Sequence, residues 1–242
     1  MDALVRTARL TGLFYLGLAV SGMLGFLITR PRLFAADDPR ATLANLGAHE
    51  ELARAAVALE LVIVITQALA AVWFHRLFRE TDPLAAGGIA AFGLVNAVVI
   101  LASAAVLATA VELAGQPFGD AASGVQLLYL VSGNQWGVGA LFFGLWLIPM
   151  GWCVLTSGWR PRPLGWILVG GGIGYVASAF GGYLLPDADR FTEALTLPAT
   201  VGELWMVGYL LTRGVRRQTV VEAVGESRAE GPVTGKGLLP AK

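Results

Sequence analysis

The sequence is poor in charge and in the side chains that bind metals. Charged residues account for 14% of the 242 positions, Cys153 is the single cysteine, and His49 and His75 are the two histidines. A single cysteine excludes an internal disulfide and any zinc or iron–sulfur site that needs paired thiolates. The two histidines flank an apolar segment at opposite ends, too far apart to bind one metal or haem together. We therefore expect neither a metal site nor a cofactor.

The basic and acidic side chains balance at seventeen each, so the chain carries no formal net charge. Without a basic surface or an acidic tail, nucleic acid is excluded as a partner. The apolar segments also lack the serine–histidine pair or paired aspartates that an intramembrane enzyme would need. An enzyme is therefore the least favoured class of function, and no catalytic residue is assigned.

Apolar residues are what the sequence has in excess. They make up 56% of the chain, and the mean hydropathy is +0.67. A soluble core of this size has no room for so many long apolar runs, whereas a membrane-spanning helix needs about 20 such residues. We predict an all-α, polytopic integral membrane bundle of about six transmembrane helices, surrounded by the lipid bilayer. The predicted spans are 10–28, 53–74, 84–113, 133–155, 164–184 and 197–211.

This transmembrane domain is expected to cover residues 1–217, with a disordered cytoplasmic tail at 218–242. The flanking arginines predict the orientation, because cytoplasmic loops are richer in positive charge. An inside N-terminus gives nine inner and five outer arginines, with Arg30 and Arg32 the main departure from the rule. The abundance of arginine, alanine and glycine is typical of GC-rich bacterial genomes and predicts a bacterial plasma membrane. The inner arginines are Arg6, Arg9, Arg76, Arg79, Arg160, Arg162, Arg213, Arg216 and Arg217; the outer are Arg30, Arg32, Arg40, Arg54 and Arg190.

A short helix is predicted in the longest outer loop. Asp38 suits an N-cap and Pro39 the first helical position. Leu43, Leu46 and Leu52 give this segment one apolar side, so we expect it to lie along the lipid headgroups before the second span.

Several segments together resemble a known membrane family. They are FFGLWLIPMG at 142–151, SGWRPRPLG at 157–165, GIGY at 172–175, RLTGLFY at 9–15 and GELW at 202–205. In these segments the chain resembles the bacterial family catalogued as domain of unknown function 4386 (DUF4386), over roughly residues 6–217. The resemblance implies a six-helix integral membrane protein and implies no activity.

Two glutamates, Glu60 and Glu203, lie inside predicted spans. A charge in the hydrocarbon region costs at least a few kcal/mol, so each is a candidate for function. Both are expected about 8–9 Å inward from the outer ends of their helices, at 1.5 Å per residue. At one level they would share a proton or bind a cation between them. The structural alternative is that each carboxylate is stabilised by its helix dipole and reaches toward the headgroups.

Three amides complete the candidate polar pocket. Gln67 lies below Glu60 in the second span, Asn96 lies in the middle of the third, and Gln135 opens the fourth. Each is explained equally well by an interhelical hydrogen bond that stabilises the bundle. Convergence on one cavity with Glu60 and Glu203 would make them a binding site that opens outward.

Two classes of function remain. The first is a carrier or receptor for a small molecule, proton-coupled through the glutamates, whose ligand the sequence does not identify. The alternative is a membrane scaffold that binds a second copy or another membrane protein through small-residue stripes. Those stripes are Gly170, Gly174, Ser178 and Gly182, together with Gly17, Ser21 and Gly25.

Overall fold

The computed structural model describes residues 3–158, 161–185 and 189–213. Within these ranges the chain forms eight α-helices and one π-helical segment that continues the first helix. Six helical stretches are long and apolar enough to cross a membrane, which confirms the predicted all-α bundle. The predicted tail at 218–242 lies outside the described residues. The elements are α1 (Ala3–Met23), the π segment (Leu24–Thr29), α2 (Arg30–Leu33), α3 (Pro39–Ala48), α4 (Glu50–Phe78), α5 (Pro83–Gly115), α6 (Ala121–Thr156), α7 (Arg162–Leu184) and α8 (Asp189–Thr212).

The first span, called span one, comprises α1, the π segment and α2. Because the six spans alternate in direction, the bundle has two ends. The end that holds α3 and the α5–α6 turn is called the α3 side, and the end that holds Ala3 and Arg213 is called the terminal side.

The spans are arranged as a closed ring. Helices α4 to α8 pack against one another in chain order, and α1 packs against both α4 and α8. Aromatic rings fill the centre: Tyr15 meets Phe74 and Trp146 edge-on, with ring centroids 5.3 and 5.5 Å apart. The indole of Trp146 fits because Gly93 has no side chain, since a Cβ there would lie 2.7 Å from the ring.

The register of α6 and α7 locates the membrane boundary on the α3 side. Gly144 lies beside Gly172 in this antiparallel pair. Helix α7 ends at Leu184, twelve residues past Gly172, so its end is level with Ser132, twelve residues before Gly144. With 23 residues, α7 is about 35 Å long and so spans a hydrocarbon core of about 30 Å. By helix length, Ser132 therefore lies at about the level of the bilayer boundary.

Beyond this boundary the longer helices form a cap, defined as α3 with the adjoining ends of α4, α5 and α6. Helix α6 begins at Ala121, eleven residues before Ser132 and hence about 16 Å further out. Helix α3 packs against α4, α5 and α6 there. The cap has its own buried cluster, separate from that of the transmembrane core: Leu33, Leu46, Ala53, Ala56, Leu107, Ala110, Val125 and Tyr129.

Aspartate side chains fix where the cap helices begin. The carboxylate of Asp38 accepts hydrogen bonds from the backbone N–H groups of Arg40 and Ala41, which confirms the predicted start of α3. Asp120 caps α6 in the same way through the N–H of Ser123, at 3.2 Å. The helix thus begins before the predicted span at 133, and its additional turns belong to the cap.

Span one contains a π-helical segment that the sequence did not predict. In this segment the N–H of Arg30 bonds to the carbonyl of Gly25, five residues earlier rather than four. Single turns of π-helix occur frequently at functional sites. The consequence is a local rotation of the chain that turns Arg30 toward α6.

Helix α8 begins earlier than the predicted sixth span. It starts at Asp189 and contains Pro198 within its length. Glu203 is consequently fourteen residues from the helix start, about 21 Å at 1.5 Å per residue, rather than the expected 8–9 Å. The Thr200 hydroxyl donates to the Thr196 carbonyl at 3.4 Å, as in a continuing helix.

The glycines of α7 are used mainly for packing inside the chain. A Cβ at Gly172 would lie 2.8 Å from the Gly144 carbonyl oxygen, and one at Gly174 would collide with the Leu195 carbonyl of α8. Gly170 and Gly182 have open space around their Cα atoms instead. The predicted stripe therefore divides between internal contacts and an outer surface.

Candidate functional site

Glu60 is a buried carboxylate on α4, ten residues from the start of the helix. The residue is 7% exposed. The hydroxyl of Ser103 and the indole N–H of Trp136 both donate to Glu60 Oε1, at 3.2 and 3.0 Å. Glu60 Oε2 is buried and accepts no hydrogen bond from the residues that the structure describes. One carboxylate oxygen is thus held in place, and the hydrogen-bonding capacity of the other is unused among the described residues.

Arg30 faces this carboxylate from span one. Its Nη2 donates to the Tyr129 carbonyl oxygen at 3.2 Å, and its guanidinium carbon lies 5.5 Å from the centre of the Phe34 ring. Gly133 leaves room for it, because a Cβ there would lie 2.7 Å from Nη2. Arg30 is within electrostatic range of Glu60, but this pair of described residues does not approach within the 4.0 Å of an ion pair.

A cavity of about 30 Å³ lies between span one, α4, α5 and α6, and both charged residues line it. One water molecule needs roughly 10–15 Å³ of such space, so the cavity holds one or two atoms of water size. The Phe26 ring meets Trp136 edge-on, with centroids 4.6 Å apart, and closes one wall. The Ser103 hydroxyl, which contacts Glu60, is 2.9 Å from that of Ser132. The cavity therefore lies at the level of the bilayer boundary.

The three predicted amides continue this polar region toward the bundle centre. Asn96 Nδ2 donates to Gln67 Oε1 at 3.0 Å, and both residues are fully buried. Asn96, Gln135 and Ser103 border one narrow void. Gln67 Nε2, Asn96 Oδ1 and Gln135 Oε1 are buried without a hydrogen-bond partner among the described residues. The void thus lies between two hydrogen-bonded groups, Glu60–Ser103–Ser132 and Asn96–Gln67.

Glu203 lies elsewhere. The Tyr15 hydroxyl donates to Glu203 Oε1 at 2.6 Å, which joins α8 to α1. Tyr175 of α7 is within electrostatic range of the same carboxylate. This hydrogen bond stabilises the packing of α8 against α1, because a carboxylate inside the membrane needs a hydrogen-bond donor.

The two carboxylates also differ in depth. Trp136 contacts Glu60, and Trp146 packs against Tyr15, the partner of Glu203. These tryptophans are ten residues apart on α6, about 15 Å along the axis. The structure therefore brings Glu60 together with the amides, and it places Glu203 deeper, toward the terminal side. The residues brought together are Glu60, Gln67, Asn96 and Gln135.

Sequence reasoning missed the groups that complete the cavity. Ser103 and Trp136 donate hydrogen bonds to Glu60, and Arg30 faces it. Serine and tryptophan are common in membrane spans, so the residue types of Ser103 and Trp136 did not mark them as functional. Arg30 did carry a signal, since it opposed the positive-inside count. This departure from the predicted charge pattern was the one signal that could have singled Arg30 out.

Comparison with known proteins gives one finding. A family described as "Domain of unknown function (DUF4386)" matches residues 10–214. No curated protein and no solved structure matches the chain. The match covers all six candidate spans, at least in part, and brings no activity with it.

Proposed function

The chain belongs to the DUF4386 family of integral membrane proteins of unknown function, and we propose that it is a carrier or receptor whose binding site is the Arg30–Glu60 cavity. The ligand is a small polar molecule, or a proton taken up together with one. Gln67, Asn96 and Gln135 extend the polar surface of this site inward. Glu203, the fifth residue predicted for the pocket, is bonded to Tyr15 instead and is not part of the proposed site.

The observation that carries the proposal is the incomplete hydrogen bonding of the buried Glu60 carboxylate. A buried carboxylate is ordinarily surrounded by donors, because an unsatisfied charged oxygen inside a protein costs several kcal/mol. Glu60 Oε1 has two donors, whereas Oε2 has none among the described residues, and the residue lines a cavity. Ionisable groups of this kind within spans mark ligand or ion pathways.

The scaffold alternative ranks second, because the structure divides the glycines assigned to it. Gly17 and Gly174 contact neighbouring helices of the same bundle, whereas Gly25, Gly170 and Gly182 meet open space. A second copy or another membrane protein would have to use that open surface. That association remains a separate prediction.

We also propose that the protein lies in a bacterial plasma membrane with both termini in the cytoplasm, so that the cavity is near the outer surface. The arginine distribution supports this orientation. In a Cys153→Ser background, Ser123→Cys at the start of α6 should react with a membrane-impermeant maleimide on intact cells. Thr81→Cys on the terminal side should react only after lysis, and the opposite pattern would reverse the orientation.

The binding function is tested by comparing Glu60→Gln with Glu112→Gln in proteoliposomes. Glu112 is the control because it is exposed at the end of α5. Uptake of radiolabelled polar solutes and of protons tests the carrier form, and equilibrium binding of the same solutes tests the receptor form. We expect Glu60→Gln to lower the uptake rate or the binding affinity at least about tenfold, since a charge-assisted hydrogen bond is worth about 1.5–3 kcal/mol. Equal values for Glu60→Gln and the wild type would refute the proposal.

A further inference from the structure

We infer that the cavity recognises a zwitterion in which a primary ammonium is joined to a phosphate or carboxylate, as in an ethanolamine phospholipid headgroup. This inference rests on the proposed function, because it names the ligand class of the same cavity. The ammonium would bind Glu60 Oε2, and the anion would bind the Arg30 guanidinium at the mouth of the cavity.

Charge is the first argument. Arg30 and Glu60 line one cavity without forming a direct ion pair, and each is held by other groups. Together they are neutral, so a lone cation or anion would leave a net charge near the membrane, which is costly. A zwitterion adds no net charge and satisfies both groups. An arginine has five N–H donors, and among the described residues the Tyr129 carbonyl takes a hydrogen bond from Nη2.

Size is the second argument. The cavity measures about 30 Å³, which is room for one or two groups the size of water at roughly 10–15 Å³ each. A primary ammonium is of that size and donates three hydrogen bonds. A trimethylammonium group is much larger and has no N–H to donate to Glu60 Oε2. The cavity should therefore discriminate ethanolamine from choline.

Depth is the third argument. The hydroxyls of Ser103 and Ser132 link Glu60 to the level at which α7 ends. That level is the boundary between hydrocarbon and headgroups. A phospholipid in the α3-side leaflet thus holds its ammonium and phosphate at the height of Glu60 and Arg30. Phe26 and Trp136, packed edge-on against each other, line the apolar part of the cavity wall.

The experiment is native mass spectrometry of the full-length, delipidated protein titrated with phosphatidylethanolamine or phosphatidylcholine of identical acyl chains. The wild type should retain phosphatidylethanolamine at least about tenfold more than phosphatidylcholine, since only the primary ammonium can donate charge-assisted hydrogen bonds to Glu60. Glu60→Gln and Arg30→Gln should bring the ratio close to one. The exposed neighbours Glu112→Gln and Arg32→Gln should retain the wild-type ratio.

Free phosphoethanolamine and glycine, measured by titration calorimetry, distinguish the source of the zwitterion. Equal retention of both lipids, with binding of either free zwitterion that Glu60→Gln abolishes, would identify a water-soluble ligand of the same chemistry. A preference for phosphatidylethanolamine that the free compounds do not displace would identify the lipid.

Gly133→Ala provides a variant that leaves both charged residues in place. The new methyl group displaces the Arg30 guanidinium, and the flexible side chain can yield without unfolding the helix. It should lower the ratio, whereas Gly22→Ala, which meets open space in span one, should not. Equal retention of both lipids without binding of either free zwitterion overturns the inference, as does a lipid preference that persists in Glu60→Gln and Gly133→Ala. Glu60-dependent uptake of another solute would then leave the proposed function standing.

Discussion

At the scale of single residues, the two membrane carboxylates have different surroundings and hence different expected roles. Glu203 receives a short hydrogen bond from Tyr15, whereas Glu60 lines a cavity and has one oxygen without a donor in the described part of the chain. The first arrangement joins two helices. The second leaves a charge that a ligand can satisfy.

The Tyr15–Glu203 contact leads to a stability prediction. Tyr15→Phe removes the donor to a carboxylate inside the bundle and should lower the free energy of unfolding by about 1–3 kcal/mol. Tyr183→Phe is the control, because its hydroxyl is exposed and lies 3.4 Å from Asn134 Oδ1. Denaturant unfolding in detergent micelles measures both variants. If Tyr15→Phe were as stable as Tyr183→Phe, the Tyr15–Glu203 hydrogen bond would not contribute to the free energy of unfolding.

Residue type alone identified Glu60 and the three amides, because polar groups are rare in the spans. Their arrangement could not be predicted, since a shift of one helix by a turn changes which side chains meet. Arg30 was assigned to a loop by its charge. Only the π segment and the missing side chain of Gly133 place it over the cavity.

At the scale of helices, close approach at glycine holds α6 and α7 together. Gly172→Ala should destabilise the protein by roughly 1–3 kcal/mol, because the methyl group would lie 2.8 Å from the Gly144 carbonyl oxygen. Gly170→Ala on the same helix meets open space and should be neutral or stabilising by up to about 1 kcal/mol. The free energy of unfolding of both variants is measured by the same denaturant titration in detergent micelles. Equal stability of the two variants would contradict the close packing.

The start of α5 should respond to acid. The backbone N–H of Ala85, with help from the Trp152 indole, holds the pKa of Asp82 below its ordinary value of 3.8. The pKa of Asp82 is lower in the folded chain than in the unfolded chain. The Asp82 carboxylate at the start of α5 therefore contributes its full stability above pH 3.8 and loses it as the pH falls through the folded pKa. Amide hydrogen exchange at Ala85, corrected for intrinsic rate, should accelerate in that range. Asp82→Ala should abolish this pH dependence, and a pH dependence that survives would point to another group.

The apolar runs predicted the number of membrane spans well, because the bilayer imposes their length. They did not predict where helices extend beyond the membrane. The additional turns of α6 depend on the Asp120 cap and on contacts with α3, and α8 continues through Pro198. These features are set by tertiary contacts rather than by hydropathy.

At the scale of the whole molecule, the bundle is asymmetric. Helices α7 and α8 have about the length of the bilayer, whereas α5 and α6 continue into the cap. The Arg30–Glu60 cavity lies beneath the cap, between span one and the helices α4, α5 and α6. This placement puts the charged pair within reach of headgroups and of polar solutes on the α3 side.

The most direct test of the central claim is an experimental density map of the wild-type protein in a bilayer that contains phosphatidylethanolamine. We predict that Arg30 and Glu60 remain apart, that Arg30 stays against the Tyr129 carbonyl, and that non-protein density lies between the guanidinium and Glu60 Oε2. A map in which the two side chains form a direct ion pair and the cavity is closed would contradict the account.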